Sequence, residues 1–91
     1  MKVVINDCFG GFSISESARQ FLRLKSAYSE VERTDPLLIG LVEADAKRAS
    51  GAWADLKVVE IPDTATDWEI TEYDGLESVI YVVDGKIHHL E

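Results

Sequence analysis

The stretch Trp68-Glu69-Ile70-Thr71-Glu72-Tyr73-Asp74-Gly75-Leu76-Glu77-Ser78-Val79-Ile80-Tyr81-Val82-Val83 decides how this chain is read. Two runs rich in β-branched and aromatic residues flank an Asp-Gly pair. That pair closes two-residue hairpins, because both turn positions need positive φ. With Asp74 and Gly75 as the loop, counting outward sets Tyr73 against Leu76, Glu72 against Glu77, Ile70 against Val79 and Trp68 against Tyr81. Trp68, Ile70, Val79 and Tyr81 then share one face, which is expected to pack on helices. Asp84-Gly85 repeats the turn signal, so Lys86 to Leu90 reads as a further short strand and the C-terminal part as a meander.

Working toward the N-terminus, Leu56 to Ile61 reads as a strand ended by Pro62, with residues 62–67 as an acidic loop. Before it, Asp35-Pro36 is a helix start, since aspartate caps and proline at the first helical position loses only an N–H that has no helical partner. Leu38, Leu41, Val42 and Ala49 give this helix an apolar stripe. Lys47 and Arg48 suit its C-terminal dipole, and Gly51 is expected to stop it in a left-handed conformation. Ile14, Ala18, Phe21, Leu22 and Tyr28 recur at helical intervals and predict a first helix over about residues 14 to 28, capped by Ser13 or Ser15. Lys2 to Asn6 is a first strand, and Asp7 to Phe12 a glycine-bearing turn with Phe9 and Phe12 as core anchors.

The expected fold class is therefore α+β with the order β-α-α-β-β-β and one more strand possible. Two helices would pack on a largely antiparallel sheet that ends in a C-terminal meander. Residues 1–91 are read as a single domain, since a chain of this length supports one core and not two. That core is expected to unite Phe21, Leu22, Leu38, Leu41, Val42, Val59, Ile61, Trp68, Ile70 and Val79.

Hydrophobic residues at 46% and charged residues at 29% are ordinary for a globular domain and exclude a disordered one. No apolar run approaches the length that crosses a bilayer, and no secretory signal pattern opens the chain, so a cytoplasmic protein without membrane contact is expected. The formal charge of −8 is uneven. Residues 1–54 carry seven acidic and seven basic side chains, whereas residues 55–91 carry ten acidic ones against Lys57 and Lys86. Such a surface repels phosphate backbones and argues against direct nucleic-acid binding.

Three segments, Cys8-Phe9-Gly10-Gly11-Phe12-Ser13, Lys57-Val58-Val59-Glu60-Ile61-Pro62-Asp63 and Trp68-Glu69-Ile70-Thr71-Glu72-Tyr73-Asp74-Gly75, cover 21 of the 91 residues. Together they resemble a family of small hypothetical proteins encoded by bacteriophages and prophages. The resemblance implies an accessory role in a phage or its host and brings no activity, cofactor or catalytic residue. The tail from Val82 to His89 departs from that family's more aromatic or basic ending.

Two features are candidates for function. The loop holding Cys8, Gly10, Gly11 and Ser13 joins a strand to a helix, where backbone amides and the helix dipole can bind a phosphate or carboxylate. It lacks any nucleotide-binding spacing, and Asp7 adds negative charge beside it, so its glycines are expected to serve the turn. The second candidate is the acidic hairpin, with Glu69, Glu72, Asp74 and Glu77 as the contact for an unknown and basic protein partner. Cys8 with His88 or His89 could form a thiolate-imidazole pair, or a zinc set with Asp7. Adjacent histidines on a strand point to opposite faces, and no third orienting group is evident. No catalytic residue, metal or cofactor is expected. The reading is a non-catalytic protein-binding module. Its rivals are a ligand-binding module or minor enzyme built on the glycine loop, and an oligomeric virion-assembly protein.

Overall fold

A computed structural model describes residues 1–23 and 31–90 of the chain. Among these residues the order is β1 (Lys2–Asn6), α1 (Glu16–Phe21), α2 (Pro36–Ala44), α3 (Ala46–Ala49), β2 (Leu56–Glu60), β3 (Asp67–Tyr73), β4 (Leu76–Val83) and β5 (Lys86–Leu90). The fold class is α+β. The strands form two antiparallel sheets where the sequence suggested one: a β1-β2 ribbon and a three-stranded meander, β3-β4-β5.

The meander follows from its two turns. Asp74 and Gly75 have φ of 53° and 92°, and Asp84 and Gly85 have 52° and 73°, so all four occupy the left-handed region that an Asp-Gly hairpin uses. The register is the one counted from the first loop: Tyr73 opposite Leu76, Glu72 opposite Glu77, Ile70 opposite Val79 and Trp68 opposite Tyr81.

The ribbon lies between two cores. In β1, Val3 faces Val59 and Val4 faces Val58, and every residue from Val3 to Asn6 is buried. Val3, Ile5, Val59 and Ile61 pack on Val79, with Trp68, Ile70, Tyr81 and Leu90 around them. Val4 and Leu56, on the other face, pack on Leu38, Val42 and Ala49 of the helices, with Phe12, Ile14 and Leu22 alongside. The expected single core is thus corrected to two. The inner face of the meander covers the ribbon and not the helices, because a strand apolar on both faces, Val3-Val4-Ile5, must be covered twice.

The helical side matches expectation at the caps of α1 and α2 and departs from it at Ile14, Phe21, Asp45 and Gly51. Ser15, whose hydroxyl accepts the Ala18 N–H, caps α1, and Ile14 instead bridges to Ser50. The helix reaches Phe21, which stands exposed outside the core, and the expected helical residues 24–28 lie outside the described ones. Asp35 caps α2 through the Leu37 N–H with Pro36 in the first turn, as its sequence implies. The helix breaks at Asp45, whose carboxylate accepts the Arg48 N–H and starts the separate α3. An aspartate competes for backbone donors in this way, which makes it a better cap than an interior helical residue. Gly51 is not a left-handed stop. Its N–H donates to the Ser13 carbonyl at 3.0 Å, and a Cβ there would collide with the Ser13 side chain.

Candidate functional site

At the end of β1 the side chain of Asn6 is fully buried and ties three segments together. Its Nδ2 donates to the carbonyls of Cys8 and Gly75, both at 2.8 Å, and its Oδ1 accepts the Asp55 N–H at 2.8 Å. Cys8 Sγ lies 3.4 Å from the same Oδ1 and 3.2 Å from the Trp53 carbonyl. A buried amide with every donor and acceptor used costs little to bury and fixes the approach of each partner.

Two glycines then let the three segments close on one another. A Cβ on Gly10 would overlap the Trp53 carbonyl, and one on Gly75 would lie 2.5 Å from the Phe9 carbonyl oxygen and 2.6 Å from the Gly11 nitrogen. The loop is filled by the protein's own backbone, so its glycines serve the close approach of segments, and the rival reading of it as a ligand cradle loses its space. What faces Gly10 is a carbonyl oxygen, which repels anions. The nearest helix, α1, begins only at Glu16. Ser13 is likewise engaged with Gly51. Cys8, Gly10, Gly11 and Ser13 belong to a packing junction in which Cys8 and Gly10 meet Trp53, Gly11 meets Gly75 and Ser13 meets Gly51.

The edge of β1 is closed by an ion pair that the sequence did not reveal. Arg33 Nη1 and Nη2 donate to Glu77 Oε1 and Oε2 at 2.7 and 3.0 Å, and Oε1 also accepts the Asn6 N–H at 2.8 Å. The Arg33 carbonyl accepts the Val4 N–H at 2.9 Å, its Nη1 reaches the Val4 carbonyl at 3.3 Å, and the guanidinium lies 3.4 Å above the Phe12 ring. This bidentate, stacked geometry suits arginine and no other cation.

Glu77 is therefore corrected from a surface contact to a buried group, 7% exposed. The two carboxylates that the register sets opposite each other do not meet, since Glu77 pairs with Arg33 while Glu72 accepts the Gly75 N–H at 2.6 Å. Glu69, Glu72 and Asp74 are exposed as expected, with Glu69 on the opposite face of the meander from Glu72.

This junction presents three aromatic side chains outward. Phe9 is 63% exposed, Trp53 79% and Tyr73 78%. Phe9 belongs to the glycine loop, Trp53 caps Gly10, and Tyr73 precedes the turn that packs on Phe9, so one end of the molecule carries all three. Phe9 is thus corrected from a core anchor, whereas Phe12 is held under Arg33. Asp7, Glu72 and Asp74 lie among them, and a cleft of about 270 Å³ runs beside Tyr73 between Asp7, Thr71, Leu76 and Ser78. The sequence signal was available in Trp53, an indole in a loop of glycine, alanine and aspartate where no apolar pattern calls for it.

Cys8 bonds to Asn6 and Trp53, whereas His88 stacks on Tyr81 with centroids 5.1 Å apart. From Gly75, at the junction, to Tyr81 is on the order of 20 Å along β4 at about 3.3 Å per residue. The structure does not bring the imagined thiolate-imidazole pair together. Among the described residues no group of three metal-ligating side chains converges, and no helix is long and apolar enough to cross a membrane. Comparison with protein-family models gives no match, and comparisons with curated proteins and with solved structures give none that is significant. The site is read from its own chemistry.

Proposed function

We propose that this chain is a non-catalytic protein-binding module whose contact is the Phe9-Trp53-Tyr73 end, and that its partner is a protein presenting basic side chains. The observation that carries this reading is the exposure of three large aromatics on a junction locked by Asn6, Gly10 and Gly75. Exposing such area costs solubility unless it is covered in use, and rigidly held aromatics are the residues that dominate binding energies. Charge selects the partner. Glu72 and Asp74 flank Tyr73 in sequence, Asp7, paired with Lys57, lines the cleft beside it, and the excess of ten acidic over two basic residues lies in residues 55–91, which include the meander. A lysine- or arginine-bearing surface is steered to this end and meets aromatic faces there. The likeness of three segments to phage-encoded proteins supports a phage or host protein as the partner, met in the cytoplasm.

The test compares the parent with a Trp53→Ala, Tyr73→Ala double variant in affinity capture followed by a titration with the captured protein. A partner bound by the parent, weakened at least about 100-fold by the double variant and weakened by salt, supports the reading. A partner whose affinity is indifferent to both overturns it.

A further inference from the structure

The four strands with free edges are guarded very differently. The outer edge of β1 is sealed by Arg33 and Glu77. Along β2, the Ser50 hydroxyl takes the Leu56 N–H. The edge of β3 carries Asp67, Glu69 and Glu72, and the Asp67 carboxylate takes the Trp68 N–H at 2.9 Å. Charged residues and self-capping of this kind keep foreign strands away.

β5 has no such guard. It pairs with β4 alone, four of its five residues are exposed, and it contains no carboxylate and no proline. The Asp84-Gly85 turn makes Val83 and Lys86 a hydrogen-bonded pair, so Tyr81-His88 and Val79-Leu90 are hydrogen-bonded as well. The N–H and C=O groups of Ile87 and His89 therefore point away from β4, and among the described residues nothing receives them.

We infer that β5 is a homodimer edge, on which β5 of a second copy pairs antiparallel about a dyad at His88. In this register Ile87 exchanges both backbone hydrogen bonds with the partner's His89, and the dyad repeats the exchange. Four hydrogen bonds join two meanders into one six-stranded sheet. A second copy fits this edge for two reasons. The donors and acceptors at positions 87 and 89 complement themselves under a two-fold axis. In a chain of charge −8, β5 is also the edge strand whose only formal charge is Lys86, so between its two flanking carboxylates, Asp84 and Glu91, the paired strands set no acidic side chains against each other. Pairing also covers apolar surface. Ile87, 66% exposed, sits beside Val82 on the outer face, and the two Ile87 side chains become diagonal neighbours across the dyad.

Sedimentation equilibrium over about 10 µM to 1 mM reads the association, since a five-residue edge gives a small and correspondingly weak interface. The parent is expected to reach a dimer in that range. Ile87→Pro removes an N–H that points away from β4, so it is expected to raise the dissociation constant at least about 10-fold. Ile87→Lys, which keeps the N–H and sets like charges together, is expected to weaken the dimer comparably and serves if the proline variant melts early. In a Cys8→Ser background, His88→Cys is expected to form a disulfide-linked dimer under mild oxidation, because the dyad brings position 88 against itself. A parent that stays monomeric to about 1 mM overturns the proposal. So does a dimer that survives both Ile87 substitutions, or one that His88→Cys does not cross-link. Trp53→Ala is expected to leave the dimer unchanged, which separates this edge from the aromatic end.

Discussion

Asp74-Gly75 and Asp84-Gly85 are the same dipeptide in the same kind of hairpin, with φ values at aspartate that differ by a single degree. Around Gly85 an added Cβ would meet nothing within 4 Å, whereas around Gly75 it would run into the backbone of Phe9 and Gly11. One turn merely reverses the chain. The other is also the surface against which the N-terminal loop closes, and its carbonyl is held by Asn6. Local sequence sets the shape of a turn, and its contribution to stability comes from what the rest of the chain brings against it.

The largest expected effect lies beside the first turn. Glu77→Ala leaves Arg33 largely buried without its counterion and the Asn6 N–H without an acceptor, and should cost about 3 to 5 kcal/mol in denaturant unfolding. For the same reason Glu72→Lys with Glu77→Lys should fail to fold, while Glu72→Lys alone should fold. Next come the two glycines. Gly75→Ala combines left-handed strain with a backbone collision and should cost about 3 kcal/mol, against about 1 for Gly85→Ala, where strain acts alone. Equal losses at the two positions would break the comparison, because the packing of Gly75 on Phe9 and Gly11 would then carry no energy. The smallest effect is expected at Trp53, which lies over Gly10 but points to solvent. Trp53→Ala should change stability by no more than about 0.5 kcal/mol while abolishing capture of the partner.

The hairpins, their register and the Asp35-Pro36 helix start were legible because each depends on residues close in sequence. The partner of each face was not. Val3-Val4-Ile5 did signal a strand buried on both sides by its unbroken apolar run, yet nothing local says that helices take one face and the meander the other. Glu77 looked like a solvated hairpin carboxylate because its counterion stands 44 residues away. Asp45 reads equally well as an interior helical residue or as a cap, and the packing of α3 beside α1 and β2 decides for the cap. Of the candidate site, the acidic excess and the structural use of the glycines could be read from the sequence. The gathering of Phe9, Trp53 and Tyr73 could not, since it depends on contacts between segments more than 40 residues apart.

The burial of β1 also sets the order in which the molecule is made. Its ribbon partner, β2, starts 50 residues after Asn6, and the carboxylate that caps its outer edge belongs to residue 77. During synthesis, Val3, Val4 and Ile5 are made before everything that covers them: the helical layer over Val4 is complete in sequence only at Leu56, and the layer over Val3 and Ile5 only once the first hairpin, with Val79, has emerged. Pairings this distant make for slow folding. At about 5 to 20 residues per second, the nascent strand spends several seconds as an exposed apolar segment. A chain stopped before Glu77 would lack both Val79, which packs on Val3 and Ile5, and the carboxylate that caps the edge of β1, and would keep that apolar face open to solvent.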